Sequence, residues 1–534
     1  MCWRYLRLLA VSFIVTACSV CSGLSSQGKD VSPKAFGLKK AHTGIERYYV
    51  LLRTHQAAVA KGVNVNYRGI KRIDIEIPKD FVQIPLTRVN DFRGCTINIK
   101  NTARKVWLFG TEQKDTPVRV EKIFIDSGSF ETIPLLNKGK ILLLVEDANP
   151  WVDNRRGYSY GHTRKDILLL ENGVAQNAPV MPYDNVSSNP KCSFILANEK
   201  PLEIKNLTIN RDPSCTFVTY LFYVSGYNDV RISGININTP QNTLSDDSAI
   251  RVFNSTNVSL TDVTIDGTYS QRDRSGYGIS LGNIWNFKAS RLYAKGNSGV
   301  FGSNNVNVAL LEDCEINRFD IHCYGRDVTF RRVSFTDLHN QYSSVFGTIL
   351  HEGCTFTDFV PISIETSYNA YVGFNARFID CIFNAGEKKN YLIGAGYVNN
   401  KGNNRPELSQ KCWPNVFINK LTINMGKGQD KFIVIKNVTE GRSQAKLGYI
   451  SEIIVDGLTI NAQDTPFRQL LISNNKLTSI NDIECEINNV IVNNPSLDTK
   501  ALTPAGNQSV SVIMNLPIKG KNIRMSSASQ LKQE

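Results

Sequence analysis

Val230-Arg-Ile-Ser-Gly-Ile-Asn-Ile237 and Val258-Ser-Leu-Thr-Asp-Val-Thr-Ile265 share one eight-residue pattern, apolar-x-apolar-x-x-apolar-x-apolar. The period of two on either side of the central pair is that of a β-strand, and the central pair breaks it with residues that favour bends. The pattern therefore describes two short strands joined by a two-residue bend, with all four apolar side chains on one side. It recurs from Val118, Leu202, Ala309, Val328, Ile349, Ala376, Val416, Ile453 and Cys485. Successive starts in the middle of the chain are roughly 19 to 29 residues apart, the length of one solenoid coil. No single copy can bury its apolar side, so neighbouring copies must stack. The pattern predicts an all-β fold, a right-handed parallel β-helix. A β-propeller would need four antiparallel strands per blade, and the irregular coil lengths argue against it.

Outward from the repeats, Gly44 to Lys61 carries apolar residues near helical spacing and stops at Gly62, which predicts a short capping helix over the open end of the solenoid. Ile73 to Ile77 and Cys95 to Ile99 alternate as strands. The longer gaps, 126–201, 384–415 and 424–452, are expected to leave the helix as loops that wall a groove, with Trp151 to Lys165 a candidate aromatic and cationic wall. Of the 12 cysteines, Cys314, Cys354, Cys381 and Cys485 fall on template core positions, which reads as buried free thiols. His351 likewise falls on an inward position.

The chain opens with Arg4 and Arg7, an apolar stretch from Leu8 to Ala17 too short to span a bilayer, and Val15-Thr16-Ala17-Cys18. The expected organisation is a signal peptide over 1–17, a Ser/Gly/Lys-rich tether over 18–40 and one β-helix domain over 41–530. The export signal reads as a lipobox that leaves Cys18 lipidated, or as a plain secretory peptide cut after Ala17 or near Cys21. The destination is the cell envelope, with a lipid on Cys18 the sole membrane attachment; Ser19 to Lys29 is not acidic, which tilts the expectation to the periplasmic side. The net charge is +13, and loss of Arg4 and Arg7 with the signal leaves +11. A basic exported protein suits an anionic partner. No zinc spacing, helix-turn-helix pattern or RNP-type run points to nucleic acid, so an acidic polysaccharide is expected, met by a monomer.

Between the Ala309 and Val328 copies lies Arg318-Phe-Asp-Ile-His-Cys-Tyr-Gly-Arg326. Strand alternation puts Phe319, Ile321 and Cys323 inward and Arg318, Asp320, His322 and Tyr324 outward, on a flat, loop-poor surface. Cation, carboxylate, imidazole and phenol in a row have no packing rationale, but they serve β-elimination from a uronate polymer. Arg318 would neutralise the uronate carboxylate, His322 would take the adjacent proton, Tyr324 would act as acid or as acid and base, and Asp320 would hold the imidazole or Arg318. Arg251, Arg274, Tyr277, Arg326, His339, Tyr342, Glu365 and Tyr368 are candidate substrate contacts on neighbouring coils. No metal-ligand set is present in this reading and no cofactor is expected.

On these residues the chain resembles the right-handed β-helix polysaccharide lyases, the class that includes glycosaminoglycan and pectate lyases, and more loosely the β-helical tailspikes of phages. The pairing of Arg274-Ser-Gly-Tyr-Gly-Ile279 with Arg318-Phe-Asp-Ile-His322 is similar to a pattern shared among bacterial and phage β-helix proteins. With the lipoprotein signal, the resemblance implies chondroitin or dermatan sulfate or hyaluronan as substrate. The acidic cluster and Lys/Arg pair of the calcium-dependent members have no residue-by-residue match, which leaves calcium open. Two other readings stay beside the lyase. Ser245-Asp-Asp-Ser248 and Gly276-Tyr-Gly278 resemble polygalacturonase-type hydrolases that would use Asp246 and Asp247, although Tyr277 stands where that family has histidine. The third is a carbohydrate-binding or adhesive solenoid without catalysis.

Overall fold

In the computed structural model the described residues run from 30 to 532, apart from 102–105, 153–161, 180–189, 213–218, 240–247, 268–276, 296–299, 365–371, 396–413, 438–451, 474–483, 494–509, 515–530 and isolated positions such as 323, 344 and 463–464. From Leu202 to Ile453 each template copy folds as expected, as two strands hinged on one left-handed residue. That residue is always the second of the central pair: Asn206 (φ 61°), Gly234 (61°), Asp262 (54°), Arg291 (51°), Asp313 (54°), Arg332 (52°), Gly353 (61°), Asp380 (51°), Lys420 (57°) and Gly457 (75°). A left-handed conformation costs an ordinary L-residue roughly 1–2 kcal/mol and Gly, Asn and Asp less, which is why the bends favour those three. Where arginine takes the place it forks onto the aspartate of the coil before, Arg291 onto Asp262 at 2.5 and 2.9 Å and Arg332 onto Asp313 at 2.6 and 3.0 Å.

Parallel pairing then carries each apolar position up the stack. One column reads Ile204, Ile232, Leu260, Ala289, Leu311, Phe330, His351, Phe378, Ile418, Val455. Among the described residues, 27 strands join in one sheet that winds as a right-handed parallel β-helix. Asparagine ladders brace the corners, as in Asn98, Asn210 and Asn238, bonded at 2.8 and 2.7 Å. Cys314, Cys354 and Cys381 are buried free thiols at the expected core positions. The Cys485 side chain lies outside the described residues. A further coil at Phe287-Lys-Ala-Ser-Arg-Leu-Tyr-Ala294 pairs in the same register, a copy that the sequence reading passed over.

The N-terminal helix spans Gly44–Lys61, with a Thr43/Glu46 capping box and Gly62 at φ 64° closing it. Tyr48, Leu51, Leu52 and Ala58 bury against the first coils. No helix among the described residues is long and apolar enough to cross a membrane.

The Val118 to Ile125 copy is a correction. Thr116–Arg119 is a strand of a separate antiparallel sheet, and Lys122–Ser127 is a helix that ends at Gly128 (φ 67°). The same apolar spacing serves a strand followed by one helical turn, and the pattern alone does not tell them apart. The gap from 126 to 201 does leave the β-helix, but as a sheet: Lys191–Leu196, Lys140–Val152 and His162–Glu171 complete it with the short Val174–Ala175. One face of this insert packs on itself through Phe130, Leu143, Leu168 and Phe194. The other face presents Leu142, Ile167, Leu169 and Ile195 to Trp285 of the β-helix.

His351 lies between the rings of Phe330 (5.0 Å, 16°) and Phe378 (4.9 Å, 5°), fully buried as its template position required. Burial pushes its pKa down to about 3, and that of His55, buried in the cap, down to about 4. Both values lie below the ordinary 6.5, so between these limits the unfolded chain binds more protons. Stability is therefore full above pH 6.5 and declines as the pH falls. Replacing His351 with phenylalanine keeps the stack and removes one proton acceptor. Between pH 6.5 and 4 the wild type should lose about 3 kcal/mol more stability than His351→Phe, measurable as a steeper fall of the denaturant midpoint.

Candidate active site

The outward face of the first strand in each coil forms a second column: Tyr223, Arg251, Ser280, Gly302, Asp320, Gln341, Ser363. Gly302 is decisive in it. A Cβ there would meet the Tyr277 ring at 2.3 Å, so the missing side chain lets that ring lie across the column toward the coils above. Tyr277 Oη then sits 2.8 Å from His322 Nε2 and 3.2 Å from Asp320 Oδ2. His322 Nε2 lies 3.3 Å from the same Asp320 oxygen.

Asp320 is the hub. Its carboxylate is fully buried and takes a two-pronged contact from Arg318, Nε to Oδ1 at 2.7 Å and Nη2 to Oδ2 at 2.6 Å. The Gln341 backbone N–H donates to Oδ1 at 3.1 Å, and Gln341 accepts a short bond from Arg318 through its side-chain oxygen. The guanidinium also lies 5.9 Å from the centre of the Tyr277 ring. A carboxylate that accepts this many hydrogen bonds is held in one orientation, and the guanidinium beside it is oriented by two fixed partners.

The structure thus brings Arg318, Asp320 and His322 together as alternation predicted, but it corrects the rest of the picture. The face is a nearly closed nest: the Arg318 and His322 side chains are each 16% exposed and Asp320 not at all. Tyr324 does not stand with them. It is buried, and its hydroxyl donates to the Lys165 carbonyl at 2.7 Å and takes a short bond from the Lys165 N–H. Asn305 reaches the same carbonyl, so this corner clasps the inserted sheet to the β-helix. The strand is only Phe319–Ile321, and beyond it the chain turns, so period-two alternation no longer applies at Tyr324. The site's phenol comes from Tyr277, 45 residues earlier than His322.

Tyr342 is also corrected from substrate contact to core, with its ring fully buried beneath the strand His339–Tyr342. His339 is half-buried on the same face as Gln341. Arg326 is carried past the corner to the next strand, where it pairs with Asp327 at 3.2 Å. Arg251 and Tyr277 are on the site face, while Arg274, Glu365, Tyr368, Asp246 and Asp247, and residues 153–161 of the Trp151 to Lys165 wall, lie outside the described residues. Gly302, Gln341, Trp107 and Tyr223 were not singled out from sequence, because their place follows from register between coils. Beside the column, a cavity of about 520 Å³ separates the insert from the corner residues Asn254 and Asn283, with Glu146, Lys165 and Ser193 on its far side. No group of three or more potential metal ligands exists among the described residues.

No protein-family model matches the sequence, and no curated protein does. Solved structures match by fold. The tailspike protein gp49 from Pseudomonas phage LKA1 is 13% identical, with 87% of this chain and 81% of that one covered at a TM-score of 0.53. The tailspike gp61 of Pseudomonas phage phi297 is 14% identical over 84% and 80% of the two chains at 0.42. The Gp54 tailspike of Acinetobacter baumannii bacteriophage AP22, solved in complex with a capsular saccharide of A. baumannii, is 10% identical over 88% and 78% at 0.37. The gp49 likeness defines the class of architecture, a tailspike-like parallel β-helix, and at this identity it defines the fold alone.

Proposed function

We propose that the protein is an exported, lipid-anchored enzyme that cleaves an acidic, uronate-containing polysaccharide by β-elimination. The observation that carries this reading is the 2.8 Å contact between Tyr277 Oη and His322 Nε2, next to a guanidinium held in place by a buried carboxylate. Elimination takes the proton from the carbon beside the uronate carboxylate. The electron pair left behind forms a carbon–carbon double bond, the glycosidic C–O bond breaks, and the departing oxygen gains a proton. Tyr277 and His322 share those two transfers: the imidazole draws the phenol proton, the phenolate takes the sugar proton, and the same phenol returns a proton to the leaving oxygen. Arg318 supplies the positive charge that the carboxylate needs as its neighbouring carbon loses a proton. Asp320 fixes Arg318 and faces the imidazole.

A hydrolytic mechanism requires two carboxyl groups roughly 5 to 9.5 Å apart, one of them able to carry a proton. Among the described residues the nest offers Asp320, which is buried and ion-paired. Chondroitin or dermatan sulfate and hyaluronan are the substrates that the sequence resemblance favours. The test is product chemistry on a panel of glycosaminoglycans, pectin and alginate. A lyase yields products bearing the ultraviolet-absorbing unsaturated uronate; reducing ends without that absorbance identify a hydrolase, and tight binding without products identifies an adhesin.

A further inference from the structure

The site column carries a second cation whose circumstances differ from those of Arg318. Arg251 stands three coils before Asp320, through Ser280 and Gly302, or about 14 Å at the spacing of paired strands. Its guanidinium lies 4.5 Å from the centre of the Phe253 ring and 5.3 Å from that of Tyr220, whose hydroxyl accepts a bond from Nη1 at 3.1 Å. No carboxylate pairs with it among the described residues, and its Nε is buried there without a hydrogen-bond partner. Arg318 has its charge balanced by Asp320, whereas Arg251 has no ion-pair partner among the described residues. A guanidinium set against aromatic rings and poorly hydrated is primed for a carboxylate or sulfate.

The next coil extends the feature. Tyr223 is in register with Arg251 and stacks on Trp107 at 4.1 Å and 15°. Trp107, Tyr223, Arg251 and Phe253 are all part-exposed, and only Ser280 and Gly302 separate Arg251 from Asp320 in the column. Ser280 is small and the Tyr277 ring covers Gly302, so a chain lying along the helix axis would run from Arg251 over Ser280 onto that ring, and a pyranose unit is comparable in length to one coil spacing.

We propose that Arg251, flanked by Trp107 and Tyr223, is a second anion-reading subsite for the polysaccharide, so that one polymer chain is gripped at the Tyr277–His322 pair and again about three sugar units toward the N-terminal end. The proposal rests on the acidic-polysaccharide reading. A substrate must span about four sugar units to reach both points.

Equilibrium binding and cleavage are measured for the wild type, Arg251→Gln and Arg251→Lys on hyaluronan, chondroitin sulfate, polygalacturonate and alginate, each also in carboxyl-reduced form. A control with the same charge change, Arg231→Gln, removes a cation already paired with Asp229 at 2.7 Å. The expected result is at least tenfold weaker binding of the preferred anionic polymer by Arg251→Gln, partial rescue by Arg251→Lys, and wild-type binding by the control. The deficit should shrink on short fragments and vanish on a carboxyl-reduced polymer that lacks sulfate. The proposal is overturned if Arg251→Gln binds every anionic polymer as the wild type does, or if the wild type retains none. Arg251-dependent binding with no cleavage of any polymer leaves the subsite standing and removes the lyase.

Discussion

Tyr277→Phe should lower turnover of the preferred polysaccharide by about a hundred- to ten-thousand-fold, the range associated with a lost general acid or base, while the protein stays folded. The ring still fills the space above Gly302, and Asp320 keeps Arg318 and the Gln341 N–H as partners, so the cost to stability is that of one hydrogen bond, about 1 kcal/mol. Tyr324→Phe provides the contrast. It removes a hydroxyl that holds the Lys165 backbone, so its effect should appear in unfolding, with most turnover retained. If Tyr324→Phe abolishes turnover in a folded protein and Tyr277→Phe does not, the phenol has been assigned to the wrong tyrosine.

Asp320→Ala should carry the largest stability cost of any single substitution in the nest. Removing a fully buried carboxylate strands a guanidinium that is 16% exposed and takes away the acceptor of the Gln341 N–H. Breaking a buried pair in this one-sided way costs about 3–5 kcal/mol, to be read from the denaturant midpoint. Asp320→Asn, which keeps an acceptor oxygen, should cost less. Breaking an exposed pair such as Lys140 and Glu171, each about half exposed, should change almost nothing. A small effect for Asp320→Ala would mean that Arg318 reaches solvent freely, and the argument for a fixed cation would fall with it.

Much of the fold was legible because its rules are local. The bend residue, the apolar columns, the cap helix with its Thr43/Glu46 box and the core position of His351 each follow from a few consecutive residues. The coil at Phe287 was passed over although its apolar positions fit the template; its left-handed Arg291 is supported by Asp262 on the previous coil, as Arg332 of the Val328 copy is by Asp313. Val118 to Ile125 misled for the opposite reason, since a local match to the template folded into the inserted sheet. In the nest, Arg318, Asp320 and His322 were legible as neighbours on one strand. Tyr277 was placed as a substrate contact, because its approach to His322 depends on the glycine at 302 and on pairing across three coils. Tyr324 was misplaced because alternation was extended past the end of a three-residue strand.

The central claim, elimination by the Tyr277–His322 pair, is tested most directly by following ultraviolet absorbance and new reducing ends in the same digest, with wild type and Tyr277→Phe side by side. The account predicts that both signals rise together, one unsaturated uronate for each bond cut, and that both are lost in the variant. Reducing ends accumulating without absorbance, or wild-type rates in Tyr277→Phe, would contradict it.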